Sequence, residues 1–180
     1  MNSIIYEPAE DSYLFKEFLE KTFKEKDCSK LSFLDMGCGS GILGKTAKNL
    51  GFEKVLSVDI NEKALEKTKE QGIETLKSNL FENIKEKFDI ICFNAPYLPL
   101  DKREPKDSQT ATTGGEKGDE ISVKFLKQSK EHLKENCKVY LLISSLTPLD
   151  KINQFKPKTV DKKKINFEEL IILEFNNDSF

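Results

Sequence analysis

The 180-residue chain has few of the side chains from which metal sites are built. It contains one histidine, His132, and four cysteines that lie far apart without a CxxC pair. Because zinc sites need three or four histidine, cysteine or acidic ligands, we assign no metal site to this chain alone. Two of the cysteines, Cys92 and Cys137, lie in apolar runs and are expected to be buried thiols.

A basic excess and a long apolar run are also missing. The 29 Lys and Arg residues are balanced by 31 Asp and Glu, so strong direct binding to nucleic acid is not expected. No run approaches the roughly 20 apolar residues that cross a bilayer, and the N-terminal MNSIIYEPAED has no charged-then-apolar leader. We therefore expect one cytoplasmic domain over residues 1–180, with no membrane partner.

Short apolar runs alternate with segments that have helical spacing. The predicted strands are residues 31–36, 54–60, 73–78, 88–93, 138–144 and 170–175, and the predicted helices are residues 11–26, 41–50, 61–72 and 118–136. This alternation predicts an α/β domain with a mainly parallel sheet. In such sheets ligands bind beyond the carboxyl ends of the strands, so we expect the functional residues directly after the strands.

The segment LDMGCGSGILG combines the end of the first strand, a glycine turn and the start of a helix. Gly37, Gly39 and Gly41 allow a tight turn and the close approach of a ligand. Gly39, Gly41 and Gly44 also satisfy the GxGxxG pattern of dinucleotide sites. Asp35, just before the first glycine, would repel a pyrophosphate and suit a cationic amino group. The pattern therefore favours S-adenosylmethionine, which carries an ammonium and a sulfonium but no phosphate.

Polar residues also follow the next two predicted strands. Asp59 can accept hydrogen bonds from ribose hydroxyls, or it can cap the following helix, a position that Asn61 can also fill. Asn79 and Leu80 lie where an adenine ring could be bound. The side-chain oxygen of Asn79 can accept a hydrogen bond from the exocyclic amine, although a simple turn would also explain this asparagine.

The stretch FNAPYLPL follows the fourth apolar run. The side-chain oxygen of Asn94 and the carbonyl oxygen of Ala95 can together accept both N–H groups of a planar –NH₂ group. Pro96 restricts Ala95 to an extended conformation, and Tyr97 can stack on the planar group. An isolated N-x-P-Y is weak evidence, but its position downstream of the glycine turn predicts that Asn94, Ala95, Pro96 and Tyr97 are catalytic.

Two further segments complete the pattern. YEPAEDSYLF has a simple explanation as a helix start, because Pro8 suits a first turn and Glu10 and Asp11 suit the helix dipole. TTGGEKGDEI, which ends at Ile121, follows the FNAPY loop. Together with the glycine turn and the loop, these segments resemble the class I S-adenosylmethionine-dependent methyltransferases that have an NPPY loop. The likeness is strongest to the short archaeal and eukaryotic branch of the HemK-like release-factor glutamine methyltransferases.

The resemblance implies a single Rossmann-like domain with a seven-stranded, mostly parallel sheet, an antiparallel C-terminal strand and helices on both faces. Residues 1–26 would form an N-terminal helix and a cofactor-covering motif, and residues 98–116 a substrate-facing loop. The implied cofactor is S-adenosylmethionine. The positions that match the family's cofactor site are Ser12, Asp35, Gly37, Gly39, Asp59, Asn79, Leu80 and Asn94.

The resemblance also implies a substrate and a partner. The substrate would be the glutamine in the GGQ loop of a class I translation release factor, and a small zinc-binding activator would pair with the strand edge from Ile73 to Ser78. Two positions depart from the family pattern. Ala95 replaces a proline, which lowers rigidity but keeps the backbone acceptor, and Asn79 replaces an acid at the adenine position.

Other interpretations remain at this stage. An N-methyltransferase acting on an adenine amine or a protein lysine would use the same loop. A methyltransferase-like binding subunit would keep the fold without activity. An NAD-dependent oxidoreductase would explain GSGILG but would leave Asp35 and the FNAPY loop without a role.

Overall fold

The computed structural model describes residues 7–100 and 112–180, which contain seven strands in one sheet. The strands are β1 (Ser32–Met36), β2 (Lys54–Asp59), β3 (Glu74–Lys77), β4 (Phe88–Asn94), β5 (Leu133–Ser144), β6 (Lys158–Ile165) and β7 (Glu168–Phe175). The helices are α1 (Glu10–Phe23), α2 (Ile42–Asn49), α3 (Glu62–Glu70) and α4 (Glu120–Ser129). Tyr6 and residues 101–111 of the predicted substrate-facing loop lie outside the described residues.

The strand order in the sheet is β3-β2-β1-β4-β5-β7-β6. The first five strands along the chain are parallel to one another, and β7 runs antiparallel to both β5 and β6. The seven-stranded, mostly parallel sheet is therefore confirmed. Its antiparallel part is a hairpin of two strands, and β6 (KTVDKKKI) was missed because its many lysines hide the strand pattern.

The segment before β5 differs from the sequence prediction. The predicted helix over residues 118–136 ends at Ser129, one 3₁₀ turn follows, and β5 begins at Leu133. Leu133 pairs with Phe88 of β4, and the register then shifts before Ile90 pairs with Lys138. Residues 134–137 lie at this register shift, and Asn136 among them has a left-handed φ of 63°, which does not fit an α-helix. Near the N-terminus, Pro8 lies before the N-cap of α1 rather than in its first turn.

Two apolar layers cover opposite faces of the sheet. One layer packs α1 and α2 against a face that includes Phe33, Cys92 and Tyr140. The other places Phe125 of α4 against Phe93, with 4.8 Å between ring centroids. The four cysteines are buried and free of disulfides. No helix within the described ranges is long and apolar enough to cross a membrane.

The topology explains where a site can form. Strand order reverses between β1 and β4, because β2 and β3 extend the sheet on one side and β5 on the other. Crossover connections therefore diverge at the carboxyl ends of these two strands and leave a crevice between them.

Candidate active site

A cleft of about 720 Å³ opens at the carboxyl ends of β1 to β4. It is bordered by the glycine turn, the start of α1 and the FNAPY loop. Every residue predicted for the site lines this cleft: Ser12, Asp35, Gly37, Gly39, Asp59, Asn79, Leu80, Asn94, Ala95, Pro96 and Tyr97.

The glycine turn has a geometry that a larger side chain would disturb. Gly37 has a φ of 64°, in the left-handed region that favours glycine. A Cβ added there would lie 2.9 Å from the ring of Phe93, so the turn rests directly on that aromatic side chain. The backbone N–H of Gly39 donates to Asp59 Oδ2 at 2.9 Å, which fixes the turn against the end of β2.

Asp35 lies deeper in the cleft than its position at a strand end suggests. Its carboxylate Oδ2 accepts hydrogen bonds from the backbone N–H of Gly44 at 2.9 Å and from the Ser57 hydroxyl at 3.3 Å. The side chain is 1% exposed, and this burial raises the pKa of Asp35 to about 7. A cation bound beside this carboxyl would restore its charge.

Asp59 organises the loop that follows β2. Besides binding the N–H of Gly39, its carboxylate accepts a hydrogen bond from the Asn61 N–H at 2.8 Å. The cap of α3 is Asn61, whose side chain accepts from the N–H of Lys63. Asp59 is therefore not the cap residue, and its partly exposed carboxylate borders the cleft where a diol could be bound.

Asn79 and Leu80 form the wall beyond β3. The amide nitrogen of Asn79 donates to Glu82 at 2.7 Å, and the residue is exposed. Leu80 is 8% exposed and adopts a left-handed φ of 53°, which is uncommon for a leucine. A buried apolar side chain beside an exposed amide is a surface on which a flat ring with a polar edge can bind.

Asn94 carries an unusual polar atom. Its Nδ2 donates to the Ser12 hydroxyl at 3.4 Å, which links the end of β4 to the start of α1. Its Oδ1 is buried and has no hydrogen-bond partner among residues 7–100 and 112–180. A buried acceptor without a partner costs about 1–3 kcal/mol, so this oxygen is a ready site for a donor from a bound molecule.

The rest of the FNAPY loop surrounds this acceptor. Ala95 is buried, and Tyr97 is partly buried against the layer that α1 covers. Burial, followed by the nearby charges of Asp11 and Glu168, raises the pKa of Tyr97 well above its ordinary value. The Tyr97 hydroxyl therefore stays protonated near neutral pH, and its ring is a neutral surface.

Sequence reasoning missed the surroundings of the loop. Asp11 was explained by the helix dipole, yet it is 4% exposed, lines the cleft and accepts a hydrogen bond from the Ser12 N–H at 2.6 Å. Glu168 gave no signal, because only the β6–β7 hairpin brings it towards Tyr97. No cluster of three or more metal-ligating side chains occurs in the described part of the chain.

The cleft is suited to S-adenosylmethionine. A buried acid, a left-handed glycine turn and a carboxylate that follows β2 meet at its base, and an apolar wall with a polar edge stands beside them. Fold and site together define a class I, S-adenosylmethionine-dependent methyltransferase.

The family model "Methyltransferase small domain" matches residues 14–168, and the chain belongs to this family.

Comparisons with curated proteins give two informative relatives. A Methanocaldococcus jannaschii protein, provisionally named a protein N5-glutamine methyltransferase, is 37% identical over 183 residues, covering 94% of this chain and 90% of the relative. The release factor glutamine methyltransferase of Borreliella burgdorferi is 39% identical over 117 residues, covering 57% of this chain and 41% of that relative. The chain thus spans nearly all of the archaeal protein but about two fifths of the bacterial one.

Solved structures show the same fold at low identity. A methyltransferase from Pyrococcus furiosus has a TM-score of 0.64 at 19% identity, covering 97% of this chain and 88% of that one. A Thermus thermophilus 16S rRNA methyltransferase, solved with AdoMet and guanosine, has a TM-score of 0.66 at 16% identity, covering 94% of this chain and 44% of that one.

Proposed function

We propose that this enzyme methylates the side-chain amide nitrogen of a glutamine in a protein. The observation that carries the proposal is the buried Oδ1 of Asn94, which lacks a partner within residues 7–100 and 112–180 and lies at the end of β4 in the cleft. A primary amide offers two N–H donors in one plane. The Asn94 oxygen would accept one of them, and the carbonyl oxygen of Ala95 would accept the other.

The relatives support a glutamine as the acceptor. The archaeal relative carries a name for N5-glutamine methylation and aligns over nearly the whole chain. A bacterial relative that aligns over part of the chain is named for the glutamine of a release factor. We extend the proposal to the same acceptor here, the glutamine of the GGQ loop in a class I translation release factor.

The residues of the FNAPY loop would act mainly by positioning. An amide nitrogen is a poor nucleophile because its lone pair is delocalised, and correct orientation can lower a barrier by roughly 7–11 kcal/mol. Asn94 and the Ala95 carbonyl would hold the –NH₂ group and stabilise the positive charge that develops on it. Pro96 would fix the direction of that carbonyl, and Tyr97 would stack on the amide plane.

The remaining predicted residues would hold the cofactor, which supplies a methyl group activated on a sulfonium. Asp35 would face its ammonium, Gly37 and Gly39 would let it approach the backbone, and Asp59 would bind its ribose. Asn79 and Leu80 would contact the adenine. Ser12 and Asn94 would border the methyl group, with residues 1–26 covering this end of the cleft and residues 98–116 facing the substrate.

The negative charge around Tyr97 supports a protein, and not a nucleic acid, as the substrate. Asp11 and Glu168 both lie close enough to raise the pKa of its hydroxyl. Asp11 also lines the cleft, so negative charge on this side would disfavour a phosphate backbone, whereas a neutral or cationic protein segment would be accommodated.

We also propose that a small zinc-binding activator pairs with the sheet at β3. Within the described residues β3 pairs on one side only, with β2, so its other side can accept a further strand. In this arrangement the enzyme works as a heterodimer.

The test is methyl transfer to a purified release factor in the presence of the activator. Wild-type enzyme should add a methyl group to the GGQ glutamine, as measured by intact mass and peptide mapping. Asn94→Ala should lower kcat by at least about 100-fold while leaving the Kd for S-adenosylmethionine within about threefold, because one acceptor of the oriented pair that holds the amide is lost. Asn153→Ala removes an exposed asparagine outside the cleft lining and is the matched control.

Parallel reactions with a release factor lacking that glutamine, with RNA, with DNA and with a histone distinguish the possible acceptors. Transfer to RNA or DNA that exceeds transfer to the release factor would overturn the glutamine proposal. Equal turnover by Asn94→Ala and the wild type would show that Asn94 does not position the amide.

A further inference from the structure

We infer that residues 112–118 brace the FNAPY loop, and that Gly114 and Gly118 are positioning residues for methyl transfer. The inference rests on the proposed function and deepens it. The segment, called the glycine brace below, is TTGGEKG in the sequence.

Backbone hydrogen bonds join the glycine brace to the chain that leaves the loop. The N–H of Leu98 donates to the Thr112 carbonyl at 3.0 Å, and the N–H of Gly114 donates back to the Leu98 carbonyl at 2.8 Å. The N–H of Leu100 donates to the Gly115 carbonyl at 3.0 Å. Leu98 and Thr113 form a parallel bridge, so the two segments pair like short strands.

Contacts at two glycines are too close for any other residue. A Cβ built on Gly114 would lie 2.6 Å from the carbonyl oxygen of Pro96 and 2.4 Å from that of Gly118. A Cβ on Gly118 would lie 2.6 Å from the carbonyl oxygen of Tyr97, and Gly118 has a φ of +90°. The neighbours are backbone atoms, which cannot rotate away, so a side chain at either glycine must displace the loop.

The far side of the glycine brace is fixed to α4. The Glu120 carboxylate accepts hydrogen bonds from the N–H groups of Lys117 and Gly118, each at 3.1 Å. The N–H of Ile121 donates to the Gly114 carbonyl at 3.0 Å. Since α4 is packed through Phe125 on Phe93 of β4, the glycine brace connects the loop back to the strand from which it leaves.

The alanine at position 95 makes the FNAPY loop depend on contacts from outside the loop. An alanine at this position leaves φ free, whereas a proline would fix it near −65°. The carbonyls of Pro96 and Tyr97 are both in close contact with the glycine brace. Packing against the glycine brace therefore restricts the loop, as the ring of a proline at position 95 would. A misplacement of about 1 Å at a reacting group can lower a rate about 100-fold.

The test compares Gly114→Ala and Gly118→Ala with Gly51→Ala. Gly51 has a φ of +83° and meets no described atom within 4 Å, so its substitution adds backbone strain without a steric contact. We expect the two brace variants to lose about 10- to 100-fold in kcat on the release factor, with the Kd for S-adenosylmethionine within about twofold. Gly51→Ala should lower Tm and leave kcat unchanged.

Amide hydrogen exchange gives a readout that does not depend on activity. The N–H groups of Leu98 and Leu100 should be protected in the wild type and should exchange at least about tenfold faster in Gly114→Ala. Glu120→Gln, which keeps the number of heavy atoms but replaces one acceptor oxygen by an NH₂ group, should produce a smaller change in the same direction. If the wild type does not methylate the release factor, the proposed function is wrong. The exchange rates still test the glycine brace in that case, because they do not depend on activity.

Two results would overturn the inference. One is that Gly114→Ala and Gly118→Ala have the same kcat as Gly51→Ala when the three variants also have the same Tm. The other is exchange at Leu98 and Leu100 that is as fast in the wild type as in the variants.

Discussion

Asp35 shows how burial can tune one acid of the cleft. Its pKa rises from an ordinary 3.8 to about 7 because the surrounding protein disfavours the charged form. Between those values the folded protein holds a proton that the unfolded chain has released. The stability contributed by this proton is complete below about pH 4 and is lost as the pH rises through about 7.

The same acid predicts how cofactor binding depends on pH. If Asp35 faces the ammonium of S-adenosylmethionine, binding requires the ionised carboxyl, and affinity should rise between pH 5.5 and 7 by up to about tenfold per unit. Isothermal titration calorimetry across this range measures the slope. Asp35→Asn should bind more weakly and without this slope, and a slope that persists in Asp35→Asn would assign the effect to another group.

The sequence indicated which residues meet at the site, but it did not indicate their burial or their hydrogen-bond partners. The positions of Asp35, Asp59 and Asn94 near the carboxyl ends of three parallel strands were sufficient to predict that they line one cleft. The burial of Asp35 beneath Gly44 depends on how closely α2 packs on β1. The missing partner of Asn94 Oδ1 in the described structure depends on the position of α1. Neither is encoded in a local pattern.

At the scale of elements, the turn between β1 and α2 depends on the ring beneath it. Gly37→Ala would place a methyl group 2.9 Å from a ring carbon of Phe93 at a φ of 64°. We expect the turn to shift, the Kd for S-adenosylmethionine to rise at least about tenfold and stability to fall by about 1–2 kcal/mol. Calorimetry and thermal unfolding measure the two effects.

Gly72→Ala is the matched control for this substitution. Gly72 has a φ of +73°, and among the described atoms an added Cβ would meet only the flexible end of Lys48. It should lose similar stability while cofactor affinity stays unchanged. Equal affinities for Gly37→Ala and Gly72→Ala would show that the turn tolerates the methyl group.

Elements with apolar periodicity were predictable, and elements defined by pairing were not. FDIICF and KVYLLIS lie within β4 and β5, because buried parallel strands are apolar along their length. β6 has four lysines and only two apolar residues, Val160 and Ile165, and becomes a strand by pairing with β7. At the start of β5 only Leu133 pairs with β4, and pairing resumes at Lys138 after a register shift, so the local sequence did not indicate a strand there.

At the scale of the whole molecule, the two ends of the sheet differ in sequence. β6 presents several exposed lysines, a feature that discourages edge-to-edge pairing. β3 is short and has fewer charges, with Thr75 and Leu76 partly buried. This difference favours β3 as the edge for the proposed activator.

Thr75→Pro tests that edge. The N–H of Ser78 donates to the Asp59 carbonyl of β2, so by strand alternation the N–H of Thr75 points away from β2. Proline there removes a donor from the open side and should abolish co-purification of the activator while leaving cofactor binding intact. Thr75→Val keeps the N–H and should retain the activator. Loss of the activator in both variants, or in neither, would contradict pairing at β3.

The acceptor pair proposed at Asn94 has a consequence for the end of the reaction. An unmethylated carboxamide would offer one N–H to Asn94 and one to the Ala95 carbonyl, whereas a methylated carboxamide has only one N–H left. The site would then hold a methyl group against an acceptor that has lost its donor, at a cost of about 1–3 kcal/mol. Product binding would then be weaker than substrate binding by roughly five- to 150-fold, and the mass gained by the acceptor should stop at one methyl group. If the enzyme binds an amide through both of its hydrogens, as proposed, the reaction limits itself to one methyl group.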